Sequence, residues 1–228
     1  GIDLLVVDYS TLPTQAVTWA TSNVQGVYPV YVANAYGIGD PIRTNLDARG
    51  SGSNSVAISA DGTTLATGNN LGIYADSGIW VQKIDGLTPP IKVAPGNLAY
   101  NFFLSEDGSY LVGGYGNIFW ANTDGSQFKW LTDYSTLYSS YGLDYGVNEA
   151  IMSDDGKTVA YTKINKFYYG VTQYVRDSSL IVADLQDTTL TNIRTIYNSI
   201  GDLYALSDLS ISADGSRIAY TRVYNSIY

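Results

Sequence analysis

Residues 151–162 read IMSDDGKTVAYT. An apolar residue, a serine, one unrestricted residue and Asp155-Gly156 lead, two residues later, into Val159-Ala160-Tyr161-Thr162. Glycine takes the positive φ of a tight turn without a Cβ penalty, and an aspartate side chain caps the amides beside it. Alternation on both sides of the turn has the period of a strand. The segment is a β-hairpin. The same reading applies to VAISADGTTLATG at 56–68, FLSEDGSYLVGG at 103–114 and ISADGSRIAYT at 211–221. Their Asp-Gly pairs begin at 61, 107, 155 and 214, which are 46, 48 and 59 residues apart. Self-similarity at such a period marks a repeat architecture.

Each hairpin is followed by a second, looser strand pair. IWVQKIDG from Ile79 leads to PIKVA from Pro90, IFWANTDG from Ile118 to FKWLT from Phe128, and LIVADLQ from Leu180 to NIRTIY from Asn192. Four short strands in about 45 residues make one propeller blade. No segment carries a helical period, so the fold class is all-β. The predicted architecture is one β-propeller domain over 1–228, with four-stranded antiparallel blades at about 1–46, 56–94, 100–133 and 147–198 and a partial blade at 207–228. About four and a half blades, or 18 strands, are expected, as in a fragment of a longer propeller or one completed by strands from elsewhere. Residues 1–46 are the least regular; LLVVDYSTLPTQAVTWATS from Leu4 resembles the second half of a blade.

Ser-x-Asp-Gly-x-x-apolar-Ala-Tyr, followed by a strand ending Asn122-Thr123-Asp124-Gly125 and by Trp130-Leu131-Thr132, resembles the TolB-type, WD40-like (PD40) propeller repeat. It is also similar to the repeats in the non-catalytic propellers of prolyl-oligopeptidase-type peptidases. The likeness covers about residues 56–224. Where that repeat usually has proline before Asp-Gly, this chain has Ala60, Glu106, Asp154 and Ala213. The resemblance implies a propeller and protein–protein scaffolding in a cell envelope, and it transfers no individual residue.

Composition narrows the chemistry. Without cysteine or histidine there is no disulfide, thiol nucleophile, Cys/His zinc site or histidine-based triad. A net charge of −9 argues against a nucleic-acid surface, and no apolar run approaches the roughly 20 residues of a membrane-spanning helix. There is no Gly-x-Ser-x-Gly elbow, no phosphate-binding glycine loop and no Asp-x-Asp-x-Asp-Gly calcium loop. No catalytic residue, metal site or cofactor is therefore assigned. A carboxylate pair for glycoside hydrolysis remains an alternative, drawn from Asp144, Glu149, Asp177 and Asp202. Few lysines, abundant hydroxyl and amide side chains and 21 tyrosines suit an extracellular or cell-envelope protein, in the periplasm or at the surface.

Binding residues concentrate on loops carried by a rigid scaffold. In a four-stranded blade, the turns after the first and third strands share one face of the disc, and the remaining connections share the other. The Asp-Gly turns mark the first face. The second receives two long tyrosine-rich stretches, read as loops at 133–147 and 164–177. Tyrosine offers rigid contact area with a hydroxyl that still favours water. The candidate partner-binding residues are Tyr134, Tyr138, Tyr141, Tyr145, Tyr168, Tyr169, Tyr174 and Arg176. Packing of the loops onto the blade is the competing reading of the same tyrosines. The expected function is a non-catalytic binding or assembly module for protein or glycan, with a homo-oligomer or surface filament as one form. The alternative is the propeller of a peptidase or glycan-processing enzyme whose catalytic part lies elsewhere.

Overall fold

The computed structural model describes residues 16–20, 27–34, 40–49, 56–69, 77–84, 88–95, 102–134, 144–169, 172–199 and 204–224. These residues form strands and turns, with no helix among them. The first sheet has three strands, β1 (Ala16–Ala20), β2 (Val27–Asn34) and β3 (Ile42–Arg49). Three four-stranded antiparallel sheets follow. They are β4 (Val56–Ile58) to β7 (Ile91–Pro95), with β5 (Thr64–Asn69) and β6 (Gly78–Lys83) between; β8 (Phe102–Leu104), β9 (Tyr110–Tyr115), β10 (Asn117–Asn122) and β11 (Phe128–Trp130); and β12 (Asp144–Met152), β13 (Thr158–Tyr169), β14 (Thr172–Gln186) and β15 (Thr189–Asn198). A two-stranded sheet, β16 (Tyr204–Ile211) and β17 (Ile218–Tyr224), ends the series. Each sheet pairs strands in chain order, so these are consecutive blades of a β-propeller, here numbered 1 to 5.

The core lies between blades rather than within one. Leu65 packs back toward blade 1 while Ala66, its neighbour on β5, packs forward onto blade 3 with Ile79 and Phe119. On β9, Leu111 faces blade 2 and Val112 faces blade 4; on β13, Val159 faces blade 3 and Ala160 faces blade 5. Period-two alternation thus gives the inner strands β5, β9 and β13 two buried faces, which is why they carry apolar residues on both sides. The outer strand β15 is mostly exposed, and its register against β14 shifts twice, leaving Ile193 and Ile196 at the irregularities. Bulges of this kind guard a sheet edge against pairing.

All four Asp-Gly turns have one construction. Ser59, Ser105, Ser153 and Ser212 each donate Oγ–H to the carboxylate two residues on, at 2.5, 2.8, 2.7 and 2.7 Å. The same carboxylate oxygen accepts the amide of Thr63, Ser109, Lys157 or Ser216 at 2.9–3.0 Å. The serine Oγ in turn accepts the amide of the residue opening the next strand, Thr64, Tyr110 or Thr158, or of Arg217 just before β17. The glycines sit at φ of 71, 64, 71 and 70°.

The turns also join neighbouring blades. The Asp61 amide donates to Glu106 O at 3.0 Å, and the Asp155 amide to Ala213 O at 3.2 Å. Tyr110 Oη donates to Gly156 O at 2.9 Å. A Cβ built on Gly108 would collide with the Thr64 side chain, one on Gly156 with Tyr110 Oη, and one on Gly215 with the Thr158 side chain. Each of these glycines therefore abuts the residue that opens the second strand of the preceding blade. A Cβ on Gly62 meets nothing within 4 Å.

Two outcomes follow from this turn. Gly62→Ala should cost only the left-handed strain of an L-residue, about 1–2 kcal/mol. Gly108→Ala, at a similar φ, should add a further ~1–3 kcal/mol of overpacking against Thr64. Denaturant unfolding of the two variants measures the difference; equal losses would mean that the blade contact contributes nothing. The second concerns acid. The Ser109 amide and hydroxyl, then the Ser105 hydroxyl, hold Asp107 below its ordinary value, and the Ser212 hydroxyl and Ser216 amide hold Asp214 at about 2. A lowered folded-state value means stability present above the ordinary aspartate range and lost as pH falls toward those lowered values. Asp107→Asn should therefore flatten the stability profile below about pH 4, while an unchanged profile would show that the turn carboxylate is energetically silent.

Candidate recognition site

Blade 4 is taller than its neighbours. In blades 2 and 3 the second and third strands are 6 residues each, whereas β13 has 12 and β14 has 15. At 3.3 Å per residue the extra length projects about 20 Å beyond the Asp-Gly-distal end of the sheet. The stretch 164–177, read from sequence as a loop, is instead a two-stranded extension: Tyr169 pairs with Thr172, Tyr168 with Gln173 and Phe167 with Tyr174. The reason is visible in the residues. Phe167, Tyr168, Tyr169, Thr172, Tyr174 and Val175 are strand formers on either side of Gly170. Likewise, 144–147, the end of the other predicted loop, already belongs to β12, with Asp144 opposite Lys166 and Tyr145 opposite Asn165.

The register sorts the candidates. Positions 145, 165, 167 and 169 lie on one face of the extension together with 172 and 174, and position 168 lies on the other with 173. Arg176 has no register partner on β13, because Asp177 pairs with Asn165 and Val175 with Lys166. It occupies a bulge, a device that re-aims side chains near functional surfaces. Tyr138 and Tyr141 lie outside the described residues. The structure therefore brings Tyr145, Tyr168, Tyr169, Tyr174 and Arg176 onto one projecting element.

Tyr134 has a different place. Its amide donates to Asn117 Oδ1 at 2.6 Å, its Oη lies 3.4 Å from Tyr161 Oη, and its half-buried ring packs into the core between blades 3 and 4. Lys163 Nζ stands 4.9 Å above that ring, a cation–π geometry. Tyr134 is a brace at the foot of the extension, the packing role weighed from sequence. Sequence reasoning missed its partners Asn117, Tyr161 and Lys163. A second brace is the tight turn of blade 3, where Gly116 at φ 75° exchanges both backbone hydrogen bonds with Val147, at 2.7 and 2.9 Å. Backbone approaches so closely there that a Cβ on Gly146 would lie 2.7 Å from Gly116 O.

Of the four carboxylates weighed as a catalytic pair, Glu149 is not presented to the projecting face. Its Oε1 accepts the Leu209 amide at 3.3 Å, tying β12 to β16 of the next blade. Burial pushes its carboxyl above the ordinary range, opposed by the Leu209 amide and reinforced by the nearby Asp208 carboxylate. Asp202 lies outside the described residues. No group of three metal-ligating side chains converges among the described residues. A raised folded-state value means that Glu149 contributes fully below the ordinary glutamate range and loses that contribution as pH rises through the raised value. Glu149→Gln keeps an acceptor for Leu209 and removes the buried charge. It should raise thermal stability at about pH 7 and change little near about pH 4. A variant less stable than the parent at neutral pH would show that the charge itself holds the strand.

No protein-family model matches the chain, and no curated protein matches it significantly. Solved structures do. TolB from Acinetobacter baumannii superposes with a TM-score of 0.55 at 16% identity, over 93% of this chain and 48% of that one. A puromycin-hydrolyzing peptidase of Mycobacterium tuberculosis gives 0.54 at 15%, over 86% and 32%. The β-propeller domain of the Trilobed protease from Pyrococcus furiosus, with an open velcro topology, gives 0.50 at 13%, over 93% and 61%. The chain thus spans between about a third and three-fifths of the length of these structures. At such identities the likeness concerns the fold, and it agrees with the sheets and turns described above: the chain is built as a TolB-like β-propeller of four-stranded blades.

Proposed function

We propose that this chain is a non-catalytic, extracytoplasmic recognition or assembly module that grips a protein or glycan through the projecting hairpin of blade 4. The observation that carries the reading is the extension itself. Three strands continue past the height of the other blades, braced by Gly116 and Tyr134, and their sequence concentrates Tyr145, Tyr168, Tyr169, Tyr174 and Arg176. Aromatic and arginine residues on rigid backbone dominate the energetics of recognition surfaces. The location rests on composition: few lysines and many hydroxyl and amide side chains. Assembly of copies into a surface structure is supported by the low fraction of charged residues, 14%.

The second reading is the propeller domain of a peptidase or glycan-processing enzyme. It is favoured by the superposition on a third of a puromycin-hydrolyzing peptidase. A parent gene encoding an α/β-hydrolase domain with a nucleophile elbow would select it.

The test replaces Tyr168, Tyr169 and Tyr174 together by serine and compares parent and variant on glycan and peptide arrays. The partner found with the parent should bind the variant at least about tenfold more weakly, with the thermal unfolding midpoint preserved. Undiminished binding by a folded variant would remove the hairpin from the site.

A further inference from the structure

The first strands of blades 4 and 5 bring two carboxylates to one seam. Glu149 on β12 and Asp208 on β16 each stand four residues before the serine of their Asp-Gly turn, Ser153 and Ser212, so they share one position of the repeat. Both strands lose register there, between Val147 and Glu149 and between Ser207 and Ser210. Asp208 takes a φ of 54°, and the next residue, Leu209, donates its amide to Glu149 Oε1 at 3.3 Å. Asp208 Oδ2 accepts the hydroxyls of Thr221 at 2.6 Å and Ser207 at 3.2 Å, and among the described residues no side-chain donor reaches Oδ1. No lysine or arginine of the described residues pairs with either carboxylate.

A third oxygen points to what the seam takes. Thr162 stands directly opposite Glu149 in the register of β12 and β13, so the two side chains share the face of blade 4 that meets blade 5. Thr162 is 0% exposed, and its Oγ1 is buried without a hydrogen-bond partner. A buried hydroxyl left unpaired is costly, and folded proteins resolve it with a ligand, an ion or ordered water. Beside it Ile151, Ala160, Leu180, Leu206 and Leu209 close the seam with apolar contacts. The donors that meet here are all oxygens, two of them carboxylates with no cationic side chain to neutralise them. That set suits a hard divalent cation and not a thiolate- or imidazole-seeking metal. Three protein ligands leave the other coordination positions to water, as in the weaker extracellular calcium sites with Kd of about 0.1–1 mM. We propose that Glu149, Asp208 and Thr162 bind a calcium ion that ties blade 4 to blade 5.

The experiment titrates the full chain, stripped of divalent cations with EDTA and dialysed, with calcium chloride against sodium chloride of matched ionic strength. Thermal unfolding, calorimetric affinity and hydrogen exchange at the Leu209 amide are followed together. Calcium at about 10 mM should raise the unfolding midpoint by about 3 °C or more and slow exchange at Leu209. Thr162→Val, which keeps the shape and removes the hydroxyl, and Glu149→Gln should each weaken calcium by about tenfold or more. Glu106→Gln makes the same charge change on an exposed residue of another blade and should leave the affinity as it is. Without calcium, Thr162→Val should be at least as stable as the parent, which also shows that it folds. An equal shift with sodium chloride, or in Glu149→Gln, would assign the effect to screening of the net charge of −9 and overturn the site. Parent-like calcium affinity in Thr162→Val overturns it as well. So does a loss of stability in that variant without calcium, since the hydroxyl would then already be paired, and so does the absence of any shift up to about 10 mM.

Discussion

The constraint on which the rest of the structure depends is the approach of three turn glycines to the blade before each of them. Gly108 lies on Thr64, Gly156 on Tyr110 and Gly215 on Thr158, at distances that leave no space for a Cβ. This contact sets how near two successive sheets stand at the Asp-Gly end, and the apolar faces then close behind it: Ala66 on Phe119 and its neighbours, Val112 on Val159 and its neighbours, Ala160 on Leu206. The serine and aspartate fix the shape of the turn, and the glycine carries the spacing. Dispersion and hydrophobic burial fall off steeply with any gap, so the ring of cores depends on that spacing being repeated.

The proposed recognition element is built at the opposite end by a different device. Instead of long irregular connections, blade 4 prolongs its own strands, and blade 3 buttresses them through Gly116, Asn117 and Tyr134. Strand backbone holds side chains at fixed intervals with little residual entropy, which suits a surface meant to bind without reorganising.

Much of the fold was legible because the repeat carries its own chemistry. Asp-Gly at 61, 107, 155 and 214 announced the hairpins, and the looser strand pair after each completed a four-stranded blade. What the serine does was less legible: Ser59, Ser105, Ser153 and Ser212 are as regular as the Asp-Gly pairs, yet their double role appears only with the backbone in place. The hairpin of blade 4 was read as a loop because it falls between the second and third strands of a blade, while the β-propensity of Phe167–Tyr169 and Thr172–Val175 was the stronger signal. Tyr134 could not be separated from its neighbours by composition. Its placement depends on Asn117, a residue 17 positions away that only the fold brings near.

Blade height and blade packing run along perpendicular directions in this molecule. The glycine contacts and the apolar clusters act sideways, from one sheet to the next, whereas β13 and β14 grow lengthwise, past the last residues that any neighbour touches in those clusters. Length at this end is therefore a free variable: residues can be gained or lost in pairs beyond the Tyr169–Thr172 pair without altering the wedge angle between blades. A propeller of this design can change the length of one hairpin while its packing between blades stays as it is, and the hairpin of blade 4 is a natural place to graft a foreign binding sequence.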